Sequence, residues 1–162
     1  MTLAAVFDIF TRDFGAYITR WAHVLFGITW IGLLYYFNFV QVPSFAQMEA
    51  AARNNAIDKL ASRALWWFRW AAVATVLSGI LIYVFGTAGD GNMTWANMDY
   101  WKSAQGVSIA TGMLLAIIMF LNVWGVIWRN QKVVIANARA VQEGKEADPK
   151  AAEAGRKALM AS

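Results

Sequence analysis

Three long apolar stretches, separated by glycine-containing or charged segments, set the pattern of the chain. They run from about Ala16 to Val40, from about Leu65 to Phe85, and over about 105–128. Each is close to the ~20 residues an α-helix needs to cross the hydrocarbon core of a bilayer, so each is expected to span. Tyr17 and Trp21 flank the first stretch at one end, and Tyr35, Tyr36 and Phe39 at the other, where interfacial aromatic belts form. Trp66, Trp67, Phe68 and Trp70 crowd the start of the second around Arg69, a residue expected to reach out to phosphate headgroups.

The segments between the stretches have their own periodicity. In residues 2–15, Val6, Ile9, Phe10 and Phe14 can share one side while Asp8, Arg12 and Asp13 stay wet, a short amphipathic lead-in. Pro43-Ser44 is expected to end the first span. Ser44 and Gln47 have the spacing of a capping box, which predicts an amphipathic helix over about 45–63 with Phe45, Met48, Ala52, Ala56 and Leu60 as its apolar stripe. Gly86, Gly89 and the Asp90-Gly91 pair mark a connection. The third helix should continue into water through Val141, and Asp148-Pro149 should open a last polar helix. The expected fold is all-α: an integral membrane helical bundle of three transmembrane helices, an interfacial amphipathic helix and a polar C-terminal helical tail. The transmembrane domain covers residues 1–132 and the tail 133–162.

Composition agrees with this pattern. The 162 residues are 59% hydrophobic and 15% charged, against about 25% charged in an ordinary soluble domain. With no cysteine, disulfides, thiolate metal sites, Fe–S clusters and Cys-linked haem are excluded within the chain. Arg53, Lys59, Arg63 and Arg69 lie on the connection between the first two spans. Arg129, Lys132, Arg139, Lys145, Lys150, Arg156 and Lys157 follow the third, and only Arg12, Arg20 and Lys102 fall on the other side. The positive-inside rule then places the N-terminus outside and the C-terminus in the cytoplasm, across a bacterial-type inner membrane. The first fifteen residues lack a basic n-region, so the N-terminus is expected to be retained. The basic residues fit this topology and give nucleic-acid binding no support.

His23 is the single histidine. It stands inside or at the rim of the first span, where an ionisable side chain is costly and marks a functional-site candidate. Imidazole is a common haem-iron ligand, and a hydrogen bond to a neighbouring helix or to water is the alternative. Arg20, His23, Gly27, Trp30 and Leu34 recur at three- and four-residue steps and so share one face. Arg20 can pair with a haem propionate or contact a headgroup. Gly27 leaves a notch for a planar cofactor or for helix packing, and Trp30 can form an aromatic wall. Ala71, Thr75 and Gly79, and likewise Ser108 and Gly112, are small residues four apart that read as helix seams. Asn122 is expected in an interhelical hydrogen bond. Met113 and Met119 could offer a thioether, but buried methionine is more often core filler. One histidine and no cysteine leave no catalytic triad and no multi-histidine metal site. No catalytic residue is expected.

Arg20-Trp21-Ala22-His23-Val24 with Gly27 and Trp30-Ile31-Gly32, then Trp67-Phe68-Arg69-Trp70 with Ser78-Gly79, then Met119-Phe120-Leu121-Asn122-Val123-Trp124 with Ile127-Trp128 and Asn130-Gln131-Lys132-Val133 extend over nearly the whole chain. Together they resemble the N-terminal family of membrane-bound, cytochrome-linked urate oxidases (urate hydroxylases). A more distant likeness runs to HemJ-type haem membrane proteins. The resemblance implies a membrane module that serves oxidation of a small molecule and passes electrons to a cytochrome c-type domain. Where the family pattern has a histidine on the third helix, this chain has Ala110. Two functions are therefore expected of the sequence. One is a subunit binding haem b through His23, with Arg20, Gly27 and Trp30 around it, for electron transfer in a membrane oxidoreductase complex or oligomer. The other is a cofactor-free structural or assembly subunit of such a complex.

Overall fold

The computed structural model describes residues 12–86 and 96–162, all of whose regular structure is helical. Helix α1 (12–47) is α-helical over Arg12–Tyr35, passes through a π-helical stretch at Tyr36–Gln41 and returns to α geometry at Val42–Gln47. Helix α2 (Ala50–Phe85) contains a second π turn at Ile57–Ala61. After the short α3 (Met98–Lys102), α4 (Ala104–Gln142) contains a third at Val123–Ile127. Helix α5 (Lys150–Met160) closes the chain. Three of these helices, Phe14–Gln47, Ala50–Phe85 and Ala104–Gln142, are long and apolar enough to cross a membrane. The lead-in up to residue 11 and the turn at 90–91 lie outside the described residues.

Pro43 does not end the first helix. A proline ring inside a helix crowds the carbonyl four residues back and leaves that carbonyl without its donor. Here the wide turn just before it, closed by Val42 N–H donating to Phe37 O, loosens that register, and Pro43 falls in the first turn of the segment that resumes. The chain reverses five residues later, where Met48 and Glu49 are extended (ψ 147° and 149°). The capping box at Ser44 and Gln47 does not form. The segment expected as a separate surface helix over 45–63 is helical from Ala50 but continues unbroken into the second span. Its buried side also differs from the expected stripe. Leu60 is half exposed, whereas Ala61 and Leu65 are buried and Ile57 packs on the core beside them.

Helices α1 and α2 run antiparallel with their faces in continuous contact. Trp30, Leu65, Phe68, Ala71 and Ala72 form the core between them, and Phe37 stands edge-on to Phe68 at 5.4 Å. Helix α4 adds Val123 and Ile127 to this core and sets Trp124 edge-on to Trp70 at 6.1 Å. At the other end of the bundle Tyr83 stacks on Trp101 at 5.4 Å. Between these contacts the middle of α4 is bare, with Leu114 59% and Ile118 54% exposed. Gly112 has nothing within 4 Å of where a Cβ would stand, so the seam expected at Ser108 and Gly112 is not made among the described residues.

The tail turns back onto the bundle. Gly144, at φ +78°, supplies the left-handed residue that ends α4. Lys145 N donates to Ala140 O (2.9 Å) and Gly144 N to Val141 O (3.0 Å), the paired bonds of a Schellman cap. Asn137 accepts from Asp148 N at 2.6 Å, and α5 then lies along α4 with Ala151, Ala154 and Ala158 buried. Beyond α5, Asn122 donates to the Ala161 carbonyl and the Ser162 hydroxyl to Asn38 Oδ1 (3.3 Å). An ion pair between Arg139 and Asp58 ties α4 to α2 on the same side.

Candidate functional site at the His23 seam

His23 lies where α1 crosses the Thr75–Gly79 turn of α2. Its Nδ1 is 2.9 Å from the Thr75 carbonyl oxygen and 3.4 Å from Ser78 Oγ. A carbonyl only accepts, so Nδ1 carries the proton. Ser78 donates its own proton to the Ala74 carbonyl at 2.6 Å, which leaves a lone pair facing the same N–H. In the neutral ring Nε2 is then the bare nitrogen, and its lone pair has no hydrogen-bond partner among the described residues. A hydrogen bond to a backbone carbonyl is how proteins commonly fix the tautomer and orientation of a ligating histidine.

The approach depends on Gly79. A Cβ there would stand 3.1 Å from His23 Cε1 and 3.3 Å from Nδ1, closer than the ring tolerates without moving. Thr75 returns its own hydroxyl to Ala71 O at 2.8 Å, so its carbonyl is the group left to serve the imidazole across the seam. The small-residue face Ala71, Thr75, Gly79 is thus a helix seam, as its spacing implies.

The other residues on the His23 face have different surroundings. Gly27 faces Thr75, whose Cγ2 would lie 3.9 Å from a Cβ at 27, so the notch is filled by the second helix. Trp30 is 3% exposed within the core beside Phe68, and its Nε1 has no hydrogen-bond partner among the described residues. It is packing, not a wall facing open space. Arg20 is exposed and makes no ion pair with another described residue. Arg69 does not simply reach outward: its guanidinium carbon lies 3.3 Å from the Trp128 ring centroid and 5.6 Å from that of Trp124, and its Nε donates to Leu65 O at 3.3 Å. Met113 and Met119 are exposed on α4. Among the described residues no group of three or more His, Cys, Asp or Glu could hold a metal ion.

Sequence spacing missed a second polar locus, Asn38 and Gln41, three residues apart at the end of the first apolar run. They lie in the π-helical stretch of α1 and line a cavity. Two amides within one turn of an otherwise apolar stretch were the available signal. No family model, curated protein or solved structure matches the chain.

Proposed function

We propose that this chain is a membrane-integral subunit that binds haem b with His23 as an axial ligand and serves electron transfer in a membrane oxidoreductase complex. The observation that supports this reading is the bond from His23 Nδ1 to the Thr75 carbonyl, which leaves the Nε2 lone pair unengaged among the described residues on an oriented ring. A haem held there would supply one-electron redox chemistry. The residues present fit it in part. His23 would give one axial ligand, and Arg20, one turn away and exposed, would offer a cation for a propionate. Gly27 and Trp30 are engaged with α2, so the rest of the cradle would come from a second copy or a partner subunit, as would the second axial ligand. The electron partner, by resemblance, would be a cytochrome c-type domain. In this reading the basic hairpin and tail face the cytoplasm of an inner membrane and the N-terminus lies outside.

A reduced-minus-oxidised absorption spectrum of the protein purified in mild detergent tests it. A Soret band that vanishes in His23→Ala and survives in Asn122→Ala is expected; no Soret band in the wild type would overturn it.

The filled Gly27 notch and the bare middle of α4 favour a second reading, a cofactor-free structural subunit that buries α4 against neighbours in a larger complex. Native mass spectrometry from detergent would then show a fixed oligomer or stoichiometric complex without cofactor. A haem-free monomer would defeat both readings.

A further inference from the structure

At the end of the bundle where α1 and α2 join, the three π-helical segments among the described residues come together. Tyr36–Gln41, Ile57–Ala61 and Val123–Ile127 each contribute to one cavity of about 200 Å³, and the last turn of α5 covers it through Ala158 and Leu159. A π turn costs hydrogen-bond regularity, and such turns are found disproportionately at functional sites. Here each faces the same space.

The lining specifies what could occupy it. No charged side chain borders the cavity, so an ionic ligand would be desolvated without compensation. Most of the wall is apolar, with Phe37 and Phe68 on one side and Ile127 on another. Of the three amides in the wall, Asn38, Gln41 and Gln131, Asn38 is already engaged. Its Nδ2 donates to Leu34 O at 3.0 Å, and its Oδ1 shares the Ser162 hydroxyl proton (3.3 Å) with Leu159 O (2.8 Å). Gln41 differs: its Oε1 is buried and has no donor among the described residues. A buried carbonyl oxygen without a donor keeps the desolvation cost that a hydrogen bond would offset. Water serves the site poorly. At about 30 Å³ of liquid volume each, several molecules would be needed, and most would face hydrocarbon rather than the two to four polar partners a buried water requires. An apolar cavity of about 150 Å³ holds one benzene, so this space suits one substituted six-membered ring. A haem macrocycle is too large for it.

We propose that this cavity binds the head of a neutral, lipid-soluble quinol, whose ring fills the apolar space and whose hydroxyl donates to Gln41 Oε1. The site is separate from His23, which does not line the cavity, and stands or falls independently of haem binding. Helix α5 is its cover.

Anaerobic isothermal titration of the full chain in lipid nanodiscs with duroquinol, and in parallel with its dimethyl ether, tests the proposal. The ether keeps the ring but has no hydroxyl proton to donate. Duroquinol should bind the wild type about tenfold more tightly than the ether, and Gln41→Leu should erase that difference. Gln41→Leu removes an unsatisfied polar atom, so it should fold at least as well as the wild type. Ala158→Met, which fills the space from α5, should abolish binding of both ligands. Equal affinity of the wild type for quinol and ether, or a Gln41→Leu affinity for duroquinol within twofold of the wild type, would overturn the proposal. So would no duroquinol binding to the wild type at all.

Discussion

Gly79 and Gly27 are both glycines on the α1–α2 seam, yet they differ in what a methyl group would meet. At Gly27 an added Cβ stands 3.9 Å from Thr75 Cγ2, an ordinary contact, so Gly27→Ala should change stability by less than about 0.5 kcal/mol. At Gly79 it stands 3.1 Å from a His23 ring already held by its hydrogen bond to Thr75. Relief requires the ring to retreat and that bond to lengthen. Gly79→Ala should therefore cost about 1 kcal/mol, the upper part of the range for interhelical hydrogen bonds in membranes. The ring's ¹⁵N shifts would report it directly. The Nδ1–H tautomer should persist in Gly27→Ala and give way to a tautomer mixture in Gly79→Ala. If both variants keep the wild-type tautomer and stability, Gly79 does not gate the approach of His23.

At the scale of elements, the tail is a docked helix whose attachments can be removed one at a time. Gly144→Ala places a Cβ on a residue at φ +78°, where L side chains pay about 1–2 kcal/mol, and should fray the α4 end without altering the spans. Asn122→Ala removes the donor to Ala161 O, and amide exchange over 150–162 should rise while exchange in α1 and α2 stays unchanged. The tail also has a pH dependence. Lys157 hydrogen-bonds Glu153 at 2.7 Å and attracts its charge, which holds that carboxyl below its ordinary pKa; Lys145 does the same for Glu143 at 2.6 Å. A carboxylate with a lower pKa in the folded state stabilises above the unfolded value and loses that contribution as pH falls through the folded one. The protection factors over 150–162, exchange rates corrected for their intrinsic pH dependence, should thus fall on acidification through the carboxylate range. The change should be small, because both groups are fully exposed and screened.

The sequence discloses these elements unevenly, for physical reasons. Bilayer thickness imposes a length and an apolar composition on each span, so all three were legible from hydropathy alone. The continuation of α1 through Pro43 was not, because a π turn leaves no residue signature and proline ordinarily means an end. Nor was the return of the tail, whose anchor joins Asn122 to Ala161 across 39 residues. The candidate site divides the same way. Three- and four-residue spacing correctly put His23, Gly27 and Trp30 on one face, but periodicity cannot say what covers a face. The second helix covers it at Gly27 and Trp30.

For the whole molecule, helix length is the governing quantity. The three long helices have 34, 36 and 39 residues, or roughly 51–58 Å at 1.5 Å per residue, against about 30 Å of hydrocarbon. Each must therefore project well beyond the bilayer. The charged Arg53–Lys59 stretch of α2, the Arg139–Asp58 pair and α5 all gather at the hairpin end, so the projection belongs on that side. Three crossings then put residues 50–60 and 150–160 on one side and the α2–α3 connection on the other. The chain has no cysteine, so single cysteines report without background. Asn55→Cys and Ala152→Cys should react with a membrane-impermeant maleimide from one face of sealed vesicles, and Ala96→Cys only from the opposite face. Under the orientation proposed above, the face shared by Asn55 and Ala152 is the cytoplasmic one. Reaction of all three from the same face would remove the three-span topology. Opposite faces with Ala96 cytoplasmic would keep the topology and reverse the orientation.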